Sequence, residues 1–192
     1  KKSLGTENLS EEEVINANTR SKALLGFGKN NRPILDFLLL NAEQAGYENI
    51  LIIISEKSGL FKAYYGEKQK NNSFNGLSIS YATQYVPKDR VKPFGTADAL
   101  FQALTQFPEL QHEAFTVCNS DNLYSVAALK ALLTCKDANA FINYDRDALL
   151  FPMEKIERFA LTLVDDKSHL EAIIEKPSKN KVNDYKDAEG KF

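Results

Sequence analysis

Apolar and polar positions alternate along the chain with two different periods, and these periods predict the elements of the fold. Residues 49–55, with the sequence NILIIIS, form a continuous β-branched run that is typical of a strand covered on both faces. Upstream, Pro33 opens and Gly46 closes an apolar-rich segment at 34–45, an arrangement that favours a helix of about three turns. The pattern therefore begins with a helix that leads into a central parallel strand.

The segments that follow continue the alternation between helices and strands. Further helices are predicted at 58–65, 96–107 and 125–135, and further strands around Leu77, Ile79 and Tyr81, at 114–118 and at 138–144. Parallel strands need long crossover connections, which helices supply, so the alternation predicts a mainly parallel sheet with helices on both faces. We therefore expect an α/β protein with three layers.

The two ends of the chain depart from this pattern. Two strand-like runs, 159–164 and 170–175, predict a C-terminal β-hairpin, whereas residues 1–20 hold few apolar side chains and predict a flexible loop or lid. No convincing strand precedes the helix at 34–45, so we expect either a fragment or a protein with further residues upstream. The expected organisation is a loop or lid at 1–20, one domain at 21–178 and a C-terminal extension of that domain at 179–192.

Composition and charge limit the classes of partner. The 192 residues suffice for one domain that buries roughly 70% of its extended surface. A net charge of −2 argues against nucleic acid and anionic membranes, and no apolar run approaches a membrane span or the apolar core of a signal peptide. Two cysteines and two histidines are too few for a disulfide framework or a four-ligand zinc site. We expect a cytoplasmic protein that binds small molecules or proteins, and a homo-oligomer is compatible with this composition.

Asp121 follows the apolar run at 114–118, within the sequence NSDN. In open α/β sheets, ligands bind beyond the carboxyl ends of the strands, where a carboxylate can hold a hard cation. Alternatively, Ser120, Asp121 and Asn122 form an ordinary turn, because such side chains bond well to their own backbone. Position alone leaves both interpretations open.

A second candidate site lies at the start of the helix predicted at 96–107. Gly95 permits a close backbone approach, and Thr96 and Asp98 stand where free N–H groups attract polar or anionic groups. A capped helix without a ligand is the alternative. The pair Gly26 and Gly28 lacks the rest of a phosphate-binding loop and favours a turn.

Charged residues mark two further positions. Arg20 and Lys22 precede an apolar stretch, where two cations could face phosphates, although a solvated pair is the alternative. Glu175 and Lys176 end a predicted strand, which Pro177 prevents from continuing. A charged strand end is ordinary, so these residues point to no function by themselves.

Six segments, taken in order, resemble the sugar-nucleotidyltransferase family, whose enzymes join a nucleotide to a sugar 1-phosphate. The segments are TRSKALL, RPILDFLLLNAEQAGYENILIIIS, SISYATQ, KPFGTADAL, FTVCNSDNLY and LEAIIEKP. The likeness covers residues 19–178. It implies a Rossmann-like sheet of the nucleotide-diphospho-sugar transferase type. It also implies Mg²⁺-dependent attack of a sugar-phosphate oxygen on the α-phosphorus of a nucleoside triphosphate (NTP), with release of pyrophosphate.

The resemblance also implies roles for individual residues. Lys22 corresponds to the family's signature lysine, which neutralises phosphate charge in the transition state, and Arg20 is a second candidate catalytic cation beside it. Asp121 corresponds to the metal-binding and catalytic aspartate. The implied nucleotide-binding residues are Gln84, Gly95 and Thr96, and the implied sugar-phosphate-binding residues are Glu175 and Lys176.

Two parts of the family pattern have no match in this sequence. The glycine-rich loop is missing, and neither Asp184 nor Asp187 can be matched to the family's second metal-binding aspartate. Two alternatives therefore accompany the enzyme hypothesis. One is a non-catalytic nucleotide- or phosphosugar-binding regulatory domain. The other is a metal-dependent glycosyltransferase, against which Lys22 argues because such an enzyme needs no activating lysine.

Overall fold

The computed structural model describes residues 22–27, 30–56, 58–67, 70, 72–137, 139–146, 148–156 and 158–177. The chain divides between residues 138 and 139 into two compact units. The boundaries predicted at residues 20 and 178 lie outside the described residues, so that division stays a prediction. None of the helices in these ranges is long and apolar enough to cross a membrane.

The first unit alternates strands and helices. In chain order its elements are a 3₁₀ turn at Lys22–Leu24, β1 (Gly26–Phe27), β2 (Arg32–Pro33), α1 (Ile34–Ala45), β3 (Asn49–Ser55), α2 (Gly59–Tyr65), β4 (Ser78–Gln84), α3 (Thr96–Gln106), a 3₁₀ turn at Pro108–His112 and α4 (Val126–Thr134). Strands β3 and β4 pair in parallel, from Asn49 opposite Ser78 to Ser55 opposite Gln84. The four predicted helices of this unit and the strand at 49–55 are confirmed.

Helix α1 forms where its flanking residues predict it. Pro33 precedes the first turn, and Gly46 ends the helix in the left-handed conformation with φ of 102°. In that conformation its backbone N–H is directed at the carbonyl oxygens of Ala42 and Glu43. The apolar face of the helix packs into the core of the unit through Leu35, Leu38, Leu39, Ala42 and Ala45.

The core of the first unit joins the sheet to its helices. Its buried members outside α1 are Ala23, Leu24, Ile52, Ile54, Phe61, Tyr65, Leu77, Ile79 and Leu129. One buried carboxylate, that of Asp36, lies among them and accepts hydrogen bonds from the Tyr65 hydroxyl at 2.8 Å and from Arg32 Nε at 3.1 Å. Burial raises the pKa of Tyr65, so the phenol stays protonated as the donor that ties α2 to α1.

Two predicted strands are wrong. Residues 114–118 form no ladder, and 46% of Phe115 and 51% of Val117 is exposed. Residues 139–144 likewise form no strand, and Phe141 and Tyr144 are exposed. An apolar run becomes a strand only if a neighbour supplies backbone hydrogen bonds. Within the described ranges, β3 and β4 pair only with each other, and neither apolar run joins them.

The second unit contains the predicted C-terminal hairpin. Its elements are α5 (Met153–Ile156), β5 (Leu161–Val164) and β6 (Leu170–Ile174), and the two strands pair antiparallel. The connecting turn is held by Asp165, whose carboxylate accepts hydrogen bonds from the backbone N–H groups of His169 at 2.7 Å and Lys167 at 2.9 Å. The hairpin is therefore confirmed, and its turn is stabilised by its own side chains.

Candidate nucleotide-binding site

Three residues for which the sequence predicts nucleotide contacts lie together at the carboxyl end of β4. Gln84 is the last residue of that strand, and Gly95 and Thr96 begin α3. Gln84 Nε2 donates hydrogen bonds to the Gly95 carbonyl oxygen at 3.1 Å and to Asp98 Oδ2 at 2.8 Å. Ligands of open α/β sheets bind at this end of parallel strands. The tertiary structure therefore gathers these residues where such a sheet binds its ligand.

Gly95 is required at this junction by its backbone conformation. Its φ of 128° lies in a region that side-chain-bearing residues rarely adopt. A Cβ atom at this position would meet none of the described atoms within 4 Å, so crowding is not the reason for the glycine. As the N-cap residue of α3, Gly95 contributes no side-chain cap, and Asp98 bonds to glutamine amides instead.

Glutamine side chains on α3 complete the outer edge of β4. Gln106 donates to the Thr83 carbonyl at 2.8 Å and accepts from the Thr83 N–H at 2.9 Å. One turn earlier on the helix, Gln102 donates to the Tyr85 carbonyl at 3.1 Å and accepts from the Tyr85 N–H at 2.8 Å. Each amide replaces one residue of a neighbouring strand, because an amide presents one acceptor and two donors.

A side-chain amide also bonds to both backbone groups of one residue at the other end of β4. Asn72 donates to the Ile79 carbonyl at 2.8 Å and accepts from the Ile79 N–H at 3.3 Å. These amide contacts are not evident from the sequence patterns described above. The signal that could have indicated them is the spacing of Gln102 and Gln106, which places both on one face of a helix that follows a strand.

Asp121 lies in an exposed turn that follows segment 114–118. The Asn122 N–H donates to the Asn119 carbonyl at 3.2 Å, and Tyr124 Oη accepts from Asn119 N and Asn122 Nδ2, both at 3.3 Å. The ring of Tyr124 packs against the core of the first unit. The turn predicted as the alternative for residues 120–122 is therefore present, and Asp121 is an exposed residue within it.

The carboxylate of Asp121 is a ligand of the kind that Mg²⁺ prefers. The described residues contain no group of three or more histidine, cysteine or acidic side chains that could enclose a metal ion. Mg²⁺ in phosphate-transfer sites needs no such group, since it keeps several waters and is bound by one or two carboxylates together with substrate phosphates. An exposed aspartate in a turn fits that ligand set.

The candidate catalytic cations lie at the limit of the described chain. Arg20 falls outside the described residues, and Lys22 begins the 3₁₀ turn Lys22–Leu24, although its side chain also falls outside them. Ala23 and Leu24 are buried in the core, so the backbone beside Lys22 is anchored. The turn predicted at Gly26 and Gly28 is not found at Gly26, which lies in β1, and Gly28 falls outside the described residues; the described turn residues before β2 are Asn30 and Asn31. A side chain at Gly26 would collide with Asn31, whose φ is positive at 48°.

Glu175 and Lys176 belong to the second unit. Both directly follow β6 and are exposed, and the buried Pro177 comes next. Lys176 has a φ of 46°, so the chain turns sharply where the strand ends. The predicted strand end is confirmed, whereas the sugar-phosphate contacts stay a prediction.

Comparison with known proteins identifies the family. Residues 17–191 match the family model described as "Nucleotidyl transferase". The chain belongs to the nucleotidyl transferase family. This membership confirms the predicted resemblance and the Rossmann-like α/β fold class.

Relatives of this nucleotidyl transferase chain are named glucose-1-phosphate adenylyltransferases. The chain is 26% identical over 162 residues to "Glucose-1-phosphate adenylyltransferase" of Corynebacterium jeikeium (strain K411), covering 83% of this chain and 38% of that protein. It is 28% identical over 164 residues to "Glucose-1-phosphate adenylyltransferase 1" of Vibrio vulnificus (strain YJ016), covering 83% and 39% respectively. It is 25% identical over 161 residues to "Glucose-1-phosphate adenylyltransferase" of Mycobacterium tuberculosis (strain ATCC 25618 / H37Rv), covering 82% of this chain and 38% of that protein. The chain thus spans less than two fifths of the length of these relatives.

Proposed function

We propose that the protein transfers a nucleotidyl group from an NTP to a sugar 1-phosphate, or to a similar phosphate ester, and releases pyrophosphate. Family membership supports the class of reaction. The observation that carries the proposal is the hydrogen-bonded junction of Gln84 with Gly95 and Asp98 at the carboxyl end of β4. Because the relatives are named glucose-1-phosphate adenylyltransferases, ATP and glucose 1-phosphate are the first substrate pair to test.

The reaction forms one bond and breaks another at the α-phosphorus. An oxygen of the sugar phosphate attacks that phosphorus, the bond to the bridging oxygen of the β-phosphate breaks, and pyrophosphate leaves with the electron pair. Such transfers need little covalent help from the protein, so its contribution is to align the reactants and to neutralise their charge.

Individual residues serve these two tasks under the proposal. Gln84, Gly95 and Thr96 bind the base and the nucleotide, and Lys22 and Arg20 offset negative charge on the phosphates. The sugar phosphate is held by Glu175 and Lys176.

A divalent cation completes the charge balance under the same proposal. Asp121 would hold a Mg²⁺ ion together with phosphate oxygens and water. That ion supplies positive charge against the phosphates. The exposed position of Asp121 and the oxygen chemistry of its turn support this assignment.

The test is Mg²⁺-dependent pyrophosphate release by the full-length gene product, with a panel of NTPs and sugar 1-phosphates. Asp121→Asn keeps the shape of the side chain and removes its charge, and we expect the rate to fall about 100-fold. The matched control is Asp166→Asn, which makes the same change in the exposed turn of the second unit and should leave the rate unchanged.

Three results would contradict parts or all of the proposal. Pyrophosphate release that is equal in Asp121→Asn and wild type would remove Asp121 from the metal site. NTP binding without release from any substrate pair would favour the regulatory, nucleotide-binding alternative. Hydrolysis of a nucleotide sugar without pyrophosphate chemistry would favour the glycosyltransferase.

A further inference from the structure

We propose that Asp98 is a positioning residue that gives the amide of Gln84 one fixed orientation, so that the site recognises a hydrogen-bond donor on the base. For ATP, that donor is the 6-amino group of adenine. This inference rests on the proposed function, because it concerns the nucleotide that the same site would bind.

The donors of the Gln84 amide are already used within the protein. Its Nε2 atom carries two hydrogens, and it donates to the Gly95 carbonyl at 3.1 Å and to Asp98 Oδ2 at 2.8 Å. The group left to bind a ligand is the amide oxygen, Oε1, which can only accept. A glutamine with both groups free could instead pair with several base edges.

The opposite orientation of this amide is excluded by its neighbours. Rotation by half a turn would place Oε1 of Gln84 against the Gly95 carbonyl oxygen and the Asp98 carboxylate. Three acceptors would then face each other without a proton between them, and two hydrogen bonds, one of them to a charged group, would be lost. The protein therefore sets the polarity of Gln84 before any ligand binds.

Asp98 is itself held by a chain of contacts that starts at the backbone. Gln102 Nε2 donates to Asp98 Oδ2 at 3.0 Å and to the Tyr85 carbonyl at 3.1 Å, while Gln102 Oε1 accepts from the Tyr85 N–H at 2.8 Å. The fixed direction of the Tyr85 peptide determines the orientation of Gln102, and the Gln102 amide then directs a donor at Asp98. This chain of hydrogen bonds runs from the Tyr85 backbone through Gln102 and Asp98 to Gln84.

Adenine offers one hydrogen-bond donor on its pairing edges, the 6-amino group, and acceptors elsewhere. A fixed acceptor at Gln84 therefore selects the amino group and cannot donate to the ring nitrogens. Purine riboside 5′-triphosphate has the same ring and phosphates but lacks this group. It isolates the contact from the rest of nucleotide binding.

The experiment compares dissociation constants of ATP and purine riboside 5′-triphosphate by calorimetry, using the full-length protein. We expect wild type to bind the analogue about tenfold more weakly, the effect of losing one hydrogen bond. In Asp98→Ala the amide of Gln84 can rotate and donate to ring nitrogen N1, so the ratio should fall to about 1–2 because binding of the analogue improves. Asp98→Asn retains an acceptor oxygen for both glutamines and should restore the tenfold ratio.

The ratio separates a positioning role from a merely structural one. Asp98 is partly exposed and belongs to the first turn of α3, so a structural role would weaken both nucleotides equally and leave the ratio unchanged. That result, or equal binding of both nucleotides by wild type, would overturn the inference while leaving the proposed reaction intact. A wild-type ratio of ten without pyrophosphate release would overturn the reaction alone. Failure to bind ATP would overturn the inference for adenine, and failure to bind any NTP of the panel would contradict the reaction as well.

Discussion

Strand β4 and segment 114–118 are both predicted as strands from their apolar residues, but they have different structures. SISYATQ at 78–84 and AFTVC at 114–118 both lead to a polar candidate residue, Gln84 in one case and Asp121 in the other. Strand β4 pairs with β3 on one edge and with amides of Asn72, Gln102 and Gln106 on the other. Segment 114–118 forms no ladder with any described strand. Comparable apolar patterns therefore lead to a strand only where another strand supplies a partner.

The difference extends to the two halves of the candidate site. Gln84 is held in one orientation by side chains that are themselves fixed to the backbone. Asp121 instead lies in a turn whose contacts run through Tyr124. We infer that the base side of the site is formed before the ligand arrives, and that the phosphate side depends on a turn at the surface.

The largest expected effect is the loss of stability on truncating a buried side chain in β4, compared with a half-exposed side chain in segment 114–118. Ile79 in β4 is fully buried, and truncation by Ile79→Ala should cost about 3 kcal/mol of unfolding free energy, since it leaves a cavity. Val117→Ala removes two methyl groups from a half-exposed side chain and should cost less than about 0.5 kcal/mol. Urea denaturation followed by circular dichroism measures both. A large effect of Val117→Ala would mean that the segment is buried as a strand in solution.

A smaller effect is expected where segment 114–118 is held to the first unit. The Tyr47 hydroxyl lies 2.6 Å from Thr116 Oγ1 and donates to the Leu129 carbonyl at 3.1 Å, so it accepts from the threonine. Tyr47→Phe should cost about 1 kcal/mol and accelerate amide hydrogen exchange at 114–120. Tyr64→Phe, at an exposed tyrosine, is the control. Unchanged exchange in Tyr47→Phe would show that other contacts hold the segment.

Removing an amide from the edge of β4 tests the other half of the comparison. Gln106→Ala frees the N–H and carbonyl groups of Thr83 to water, so we expect a loss of about 0.5–1 kcal/mol. It also exposes a strand edge that can pair with a second molecule, so sedimentation velocity should show more self-association than for wild type. Gln111→Ala removes a single bond to the Leu104 carbonyl and serves as the control. Equal sedimentation of both variants would contradict a protective role for the amide.

The smallest expected effect is a pH-dependent change in the turn of the hairpin, whose strands β5 and β6 are adjacent in sequence and pair with each other. Hydrogen bonds from the backbone N–H of His169, and then from its side chain and from Lys167, lower the pKa of Asp165 below the usual 3.8. A lowered pKa contributes stability at higher pH, so this contribution should be complete well above pH 3.8 and disappear as the pH falls through the lowered value. NMR of the His169 amide between about pH 5 and 2 would follow the change.

Two variants decide whether Asp165 causes this titration. In Asp165→Asn the acid-dependent shift of the His169 amide should disappear. In Asp166→Asn, the adjacent aspartate, it should persist. A shift that survives in Asp165→Asn would assign the titration to another group.

Local signals in the sequence determined the helices, the hairpin and the family. Pro33 and Gly46 limit α1, and Ser125 begins α4 by accepting a hydrogen bond from the Ala128 N–H at 3.1 Å. The turn around Asp165 closes the hairpin over a few residues. Such features depend on neighbours close in sequence, so a pattern of residues suffices to predict them.

Tertiary structure decided which apolar runs become strands and how the candidate site is oriented. Residues 114–118 and 139–144 have the composition of strands, but a ladder depends on backbone groups far away in the sequence. Gln84 and Asp98 are 14 residues apart and meet because α3 packs along the edge of β4. Side-chain polarity at the site is therefore set by hydrogen bonds between separate elements, which no local pattern of residues can specify.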